Sequence, residues 1–322
     1  MAHTLSREVK SLFKSFGSSS PPPPDGFDRP DAVVRQADTE GNISTTFSAA
    51  QSPATSPTSL EQPILIELFQ SQGCNSCPPT NDNLIAFVQP HQSSYQHTSP
   101  PRFYASQSPS SSPITTPNSP HGREYLLLTY QVTYWNYLGW EDTFSLPNND
   151  IRQRDYVRRM GLRAAYTPMV VVNGRGVGVG NTRENLEWIV RAGQKPARET
   201  ERVGMKRLLE RGGDGELEIL EIDATALPPS YSQSPGHHLE VWEITYTPSS
   251  QDVHISRGEN VGRTLPHLNV VSEVRRIGSL ERGTKERFPF SGQNERRASA
   301  GKEKVVIVQD GKGGETCGIL KL

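Results

Sequence analysis

Apolar positions between Pro63 and Val190 fall into short runs and helical stripes divided by turn residues. Ile64 to Phe69 is apolar except for Glu67, the pattern of a buried strand. The polar stretch SQGCNSC follows. Leu84, Ile85, Phe87 and Val88 then give the apolar face of a helix that ends near Val88, with Pro78 and Pro79 in a first turn that tolerates proline. Glu124 to Val132 reads as a second buried strand, followed by the aromatic block Tyr134, Trp135, Tyr137 and Trp140. Asp150 to Met160 predicts a helix, with Asn148 or Asn149 as its N-cap. Tyr166 to Gly174 is a proline entering an apolar strand that ends in Asn-Gly, which predicts a hairpin with the segment around Gly176 to Val179. Thr182 caps a last helix, Arg183 to Ala192. Beyond Gly193 the pattern changes to short, often alternating segments: Leu217 to Ile222, Leu239 to Tyr246, Val253 to Ser256, Leu268 to Ile277 and Val305 to Gln309. These predict a smaller antiparallel, β-sandwich-like domain.

Composition adds that part of the chain lies outside any core, because only 33% of its 322 residues are hydrophobic while 26 are Pro and 27 are Gly. Residues 1–62 are rich in Ser, Pro, Thr and Gln after a short amphipathic start, and read as a disordered leader. Residues 89–123 shift to the same make-up and read as a disordered insertion. The expected organisation is therefore a leader over 1–62, an α/β domain over 63–192 interrupted by that insertion, a linker over 193–205 and a β-rich domain over 206–322. Within the α/β domain the order is strand, helix, strand, helix, strand, strand, helix. That is the thioredoxin order.

A net charge of -1 provides no general drive toward nucleic acid, and no run of 18 apolar residues is present to form a transmembrane helix. Three cysteines, two of them in CxxC spacing, do not make a stapled secreted framework. A reducing compartment follows as the expectation, cytoplasmic by default, with mitochondrial as the alternative because the first residues are weakly amphipathic.

Cys74 and Cys77 carry the chemistry. At a helix N-terminus the first sulfur lies near unsatisfied N–H groups that stabilise thiolate, so Cys74 is expected to attack and Cys77 to resolve, on a protein or small thiol/disulfide substrate. Glu67 sits in an apolar strand, where desolvation would raise its pKa and make it a general base; the other reading of Glu67 is an outward-facing residue or an arginine partner. Trp135 and Trp140 form either core or an apolar rim that receives substrate. A closed metal site needs four ligands and one CxxC offers two, so no metal is expected, and no cofactor. Gly258 to Arg263, GENVGR, lacks phosphate-loop spacing and reads as a turn that packs on the first domain.

The blocks IELFQSQGCNSCPP, VTYWNYLGWEDTFS, RQRDY, YTPMVVVNG and GENVGRTLPHLNVV resemble those of the domain of unknown function 1223, a thioredoxin-like family. The resemblance implies the thioredoxin-like fold, a cis bond before Pro168 with Thr167 facing the dithiol to bind substrate, and a buried acid at Glu67 that takes the resolving thiol's proton. It assigns no reaction. Where relatives often read HVDYWD, this chain has Gln131, Val132, Thr133, Tyr134, Trp135 and Asn136, so a histidine and two carboxylates are replaced by uncharged groups. The alternative function is a non-catalytic module that binds protein partners through the same fold.

Overall fold

The computed structural model describes residues 62–89, 124–194, 202–212, 215–227, 238–290 and 301–322. The expected leader and insertion lie outside these residues, apart from Gln62 and Gln89 at their ends. The described residues fall within one compact unit.

Its architecture is mixed α/β with more strands than helices. Strand β1 is Ile64–Gln70, helix α1 Cys77–Val88, β2 Tyr125–Gln131, α2 Pro147–Arg159, β3 Met169–Val172, β4 Gly176–Gly178 and α3 Arg183–Gly193. Strand β1 pairs parallel with β2 and antiparallel with β3, so it is the central strand of this half. Asn173 and Gly174 both take positive φ in the β3–β4 turn, which is what a tight hairpin requires of its central pair. Thr182 Oγ1 accepts the Asn185 N–H at the start of α3. The start of α2 differs from expectation: it begins at Pro147 with Leu146 at the cap, because proline is pre-organised for a first helical position and displaces the Asn capping signals inward.

The second half is strand-rich, with β5 Gly204–Gly212, β6 Gly215–Asp223, β7 Leu239–Thr247, β8 Gln251–His254, β9 Thr264–His267, β10 Val270–Leu280, β11 Lys285–Phe290, β12 Glu303–Asp310 and β13 Thr316–Lys321. These strands do not all stack as a sandwich of their own. The largest sheet has eight strands in the order β13-β12-β7-β10-β2-β1-β3-β4, so four strands from beyond residue 206 continue the sheet built by the first half. The physical reason lies in β2. All seven of its residues are buried, and a strand of that kind left at an edge would expose unpaired backbone groups. Strand β10 joins it at Val270 opposite Thr129, and the junction is reinforced by Thr129 Oγ1 donating to Leu268 O (2.7 Å) and Asn269 Nδ2 donating to Leu127 O (2.7 Å). Strands β11, β6 and β5 form a separate three-stranded sheet, and β8 pairs with β9.

Strand periodicity sends alternate β1 side chains to opposite faces. Ile64, Ile66 and Leu68 pack with Leu84 and Phe87 of α1 and with Leu186 and Ile189 of α3. Leu65 and Phe69 face Tyr130, Tyr156 of α2 and the C-terminal residues Ile244, Tyr246 and Ile307. Each such side chain contributes about 1.5–3 kcal/mol on full burial. Glu67 follows Leu65 and Phe69 onto the α2 face. That face is opposite the one covered by the cysteine-bearing helix.

Candidate functional site

β1 ends at Gln70 and the chain turns through Ser71 to Ser76 before α1 begins at Cys77. Backbone bonds from Cys74 N to Ser71 O (3.1 Å) and from Cys77 N to Cys74 O (3.2 Å) shape this turn. Pro78 and Pro79 occupy the first helical turn, whose N–H groups have no intrahelical acceptor. Both cysteines are buried free thiols.

Their surroundings treat the two sulfurs differently. Hydrogen bonding from Cys77, followed by contributions from the Ser76 and Thr167 side chains, lowers Cys74 to about 6 against the opposing effect of burial. Ser76 Oγ lies 3.1 Å from the Cys74 sulfur, and the Thr167 carbonyl lies 3.7 Å from it. Burial pushes the Cys77 thiol well above its ordinary value, and a neighbouring Cys74 charge pushes it the same way. These surroundings favour the thiolate at Cys74 and the protonated thiol at Cys77.

The Thr167–Pro168 bond is cis and leads into β3. Trp135, in the loop after β2, donates its indole N–H to Thr167 Oγ1 (2.7 Å), which leaves the threonine hydroxyl proton free to point at sulfur. Trp140 donates instead to Gln72 Oε1 (2.8 Å), also in the cysteine turn. Cys74, Cys77, Thr167, Pro168, Trp135 and Trp140 are thus brought to one place. Both tryptophans are partly buried and reach it through their N–H groups. Tyr137, stacked on Trp135 and 72% exposed, supplies open aromatic surface beside them.

Glu67 is brought elsewhere. It is fully buried, its Oε1 takes the Arg152 Nε–H at 2.7 Å and its Oε2 accepts from the Tyr156 hydroxyl. These contacts match the arginine-partner reading, and neither cysteine is among its hydrogen-bond partners. Cys317 packs in a third core with Leu220 and Val241, and burial pushes its thiol up to about 12. Among the described residues, no group of three or more His, Cys, Asp or Glu is placed to hold a metal.

Several residues of the site went unassigned in the sequence. The GENVGR segment is a turn whose Gly258 and Gly262 have φ of +82° and +81°, a conformation glycine adopts without strain. It carries Asn260 under the cysteine loop, where the buried amide donates to Gln72 O (2.8 Å) and Cys74 O (2.9 Å). Glu259 Oε2 accepts the Asn75 N–H at 3.1 Å. Asp142 is buried, accepts from Gln72 N (2.7 Å) and Phe144 N (3.0 Å), and is pushed up to about 6 by desolvation. Asp142 and Asp150, which binds Thr133 N at 2.9 Å, put carboxylates around a loop whose own residues 131–136 are uncharged. Two glycines flanking an amide were the available signal for Asn260; its partners, more than 180 residues away, were not. Asn260→Ala removes a donor from Gln72 O and leaves Cys74 O with the Cys77 N–H, and is expected to destabilise the protein by about 1–3 kcal/mol, read as a lower urea midpoint at unchanged slope. An unchanged midpoint would show that the clamp carries no energy.

A search of curated proteins finds no match. Among solved structures, a crystal structure of a protein from Agrobacterium tumefaciens superposes with a TM-score of 0.50 at 22% identity, over 80% of this chain and 93% of that one. HBP35 of Porphyromonas gingivalis is more distant, with a TM-score of 0.42 and 9% identity over 82% of this chain and 76% of that one. The profile described as "Protein of unknown function (DUF1223)" matches residues 65–309, and the chain belongs to that family.

Proposed function

We propose that the protein is a thiol–disulfide oxidoreductase whose first half is thioredoxin-like and whose reacting groups are Cys74 and Cys77. The observation that carries this reading is geometric: Cys74 and Cys77 flank the turn into α1, with the Cys74 sulfur 3.1 Å from Ser76 Oγ and 3.7 Å from the carbonyl of Thr167 before the cis Pro168, surroundings that tune the two thiols oppositely, Cys74 down to about 6 and Cys77 up. A structural pair has no need of such asymmetry, whereas exchange needs one nucleophile and one protonated reserve. The order of elements in the first half and the position of Thr167–Pro168 beside the dithiol support the thioredoxin-like comparison.

In the proposed reaction the Cys74 thiolate attacks one sulfur of a substrate disulfide. A Cys74–substrate S–S bond forms and the other substrate sulfur leaves as thiolate. Cys77 then loses its proton and attacks the Cys74 sulfur, closing the Cys74–Cys77 disulfide and releasing the second substrate thiolate. Two molecules of a small thiol return the pair to the reduced form, the first forming a mixed disulfide and the second releasing it as the small-molecule disulfide. Trp135 orients Thr167, and Asn260 with Glu259 holds the loop that presents Cys74.

Equilibration in glutathione buffers followed by mass-shift alkylation tests this reading. Cys74 and Cys77 are expected to gain and lose label together across one redox transition, with Cys317 labelled independently. If the pair stays reduced in every buffer, the protein is not an oxidoreductase of this kind.

A further inference from the structure

The second half of the exchange poses a problem that the first does not. Cys77 must give up a proton from a buried position, and Glu67 is committed to Arg152 and Tyr156 on the far face of the sheet. Asp142 lies behind Gln72 with its oxygens engaged by Gln72 N, Phe144 N and the Ser71 side chain. Neither carboxylate is open to Cys77.

Cys77 instead borders a pocket of about 10 Å³, about the size of a single water, in which the polar side chains of Gln70, Gln72, Asn81 and His267 are set among the apolar Pro78 and Leu265. Three of these side chains are spoken for. Gln70 Nε2 donates to Asn81 Oδ1 (3.0 Å), Asn81 Nδ2 donates to Pro266 O (2.8 Å), and Gln72 Oε1 accepts from Trp140 and Thr143. His267 is different. It is 2% exposed, its Nδ1 lies 3.2 Å from Gln251 O, and a carbonyl can only accept, so Nδ1 carries the ring proton. Nε2 is then the bare nitrogen. Its contact with Gln72 Nε2 is long, 3.5 Å, and the Leu265 carbonyl beside the ring favours the protonated form, which leaves it able to accept a proton.

We propose that His267 receives the proton of Cys77 through a water seated in this pocket. The inference rests on the oxidoreductase reading and adds to it the residue that makes resolution possible. In the step, Cys77 S–H passes its proton to the water and the water passes one to His267 Nε2. The Cys77 electron pair forms the bond to Cys74 sulfur, and the Cys74–substrate bond breaks with its pair leaving on substrate thiolate. Burial lowers the affinity of His267 for a proton, so it is neutral and ready at neutral pH. The ionisable groups on the elements packed around it are Cys77 and Asp82 of α1, Asp252 and His254 of β8, the latter 3.4 Å from Thr264 Oγ1, and Glu141 and Asp142 of the loop whose Phe144 meets the His267 ring.

The test uses the reduced full chain and one equivalent of dithiobis(nitrobenzoate), whose thiolate is coloured. The first equivalent of colour reports attack by Cys74, and the second reports resolution by Cys77. In wild type two equivalents are expected, the second at a rate that levels off once His267 is neutral. In His267→Gln the first is expected at the wild-type rate, with the second slowed at least tenfold and still climbing with pH. A second equivalent at the wild-type rate and pH profile overturns the proposal. Loss of the first equivalent as well assigns His267 to holding the site together, and also overturns it. A wild-type protein that never releases the second equivalent overturns the oxidoreductase reading itself, which separates the two failures.

Discussion

Cys74 is expected to react with iodoacetamide along a pH profile centred near 6, while Cys77 and Cys317 stay unreactive to well above neutrality. The Cys74 thiol falls to about 6 because Cys77, Ser76 and Thr167 hydrogen-bond to the anion more strongly than burial disfavours it. Since the depressed value favours the anion, reactivity is full above neutral pH and is lost as pH falls through about 6. At neutral pH such a thiol is about 90% ionised, against about 3% for an ordinary cysteine, roughly a 30-fold difference in nucleophile population. Cys74→Ser should remove both the acid-side labelling and all disulfide exchange. Ser76→Ala removes the hydroxyl at 3.1 Å from the sulfur and should raise the midpoint by about 1 unit, the equivalent of one charge-assisted hydrogen bond. Peptide mapping of the alkylated protein identifies the labelled residue. A Cys74 midpoint in the ordinary thiol range would remove the asymmetry that supports the proposed function.

What could be read in the sequence was whatever depends on near neighbours. The β1 run, the CxxC before two prolines, the Asn173-Gly174 turn and the Thr182 cap are each settled by residues within a few positions, and each lies where its local pattern puts it. What could not be read depends on partners far along the chain. Strands Leu239–Thr247 and Val270–Leu280 alternate as a sandwich strand would, and nothing local says that β10 closes the edge of β2. Asn260 and His267 sit in GENVGRTLPH, where the residue types are polar and ordinary; their meaning comes from Gln72, Cys74 and the pocket beside Cys77. Glu67 shows the limit most clearly. Its alternation with Leu65 and Phe69 is visible in the sequence, but the face on which the cysteine helix packs is a property of the assembled sheet.

Arg152→Leu is expected to cost about 3–5 kcal/mol, because it leaves the fully buried Glu67 carboxylate without its cation. Arg152 also donates to Gln309 Oε1 (3.1 Å) and the Tyr156 hydroxyl (3.3 Å), and its guanidinium lies 5.7 Å from the ring centres of both Tyr130 and Trp242. These partners come from β2, α2, β7 and β12, so the charge pair ties the first half of the chain to the second across the continuous sheet. Glu67→Leu alone strands the guanidinium and should cost a similar amount. The double variant Glu67→Leu/Arg152→Leu removes both charges, leaves the Tyr156 hydroxyl still bonded to Gln309 Nε2 (2.9 Å), and should recover much of the loss. Urea unfolding of the four proteins measures this directly, as a coupling energy of the same order as either single loss. The double variant also separates structure from chemistry. Since Glu67 faces α2 and the dithiol lies with α1 on the opposite side, its Cys74–Cys77 redox midpoint should match wild type. A near-additive cycle would show that the pair is not coupled as its geometry indicates. A shifted midpoint or a slowed resolving step in a well-folded double variant would return Glu67 to the reaction as its base.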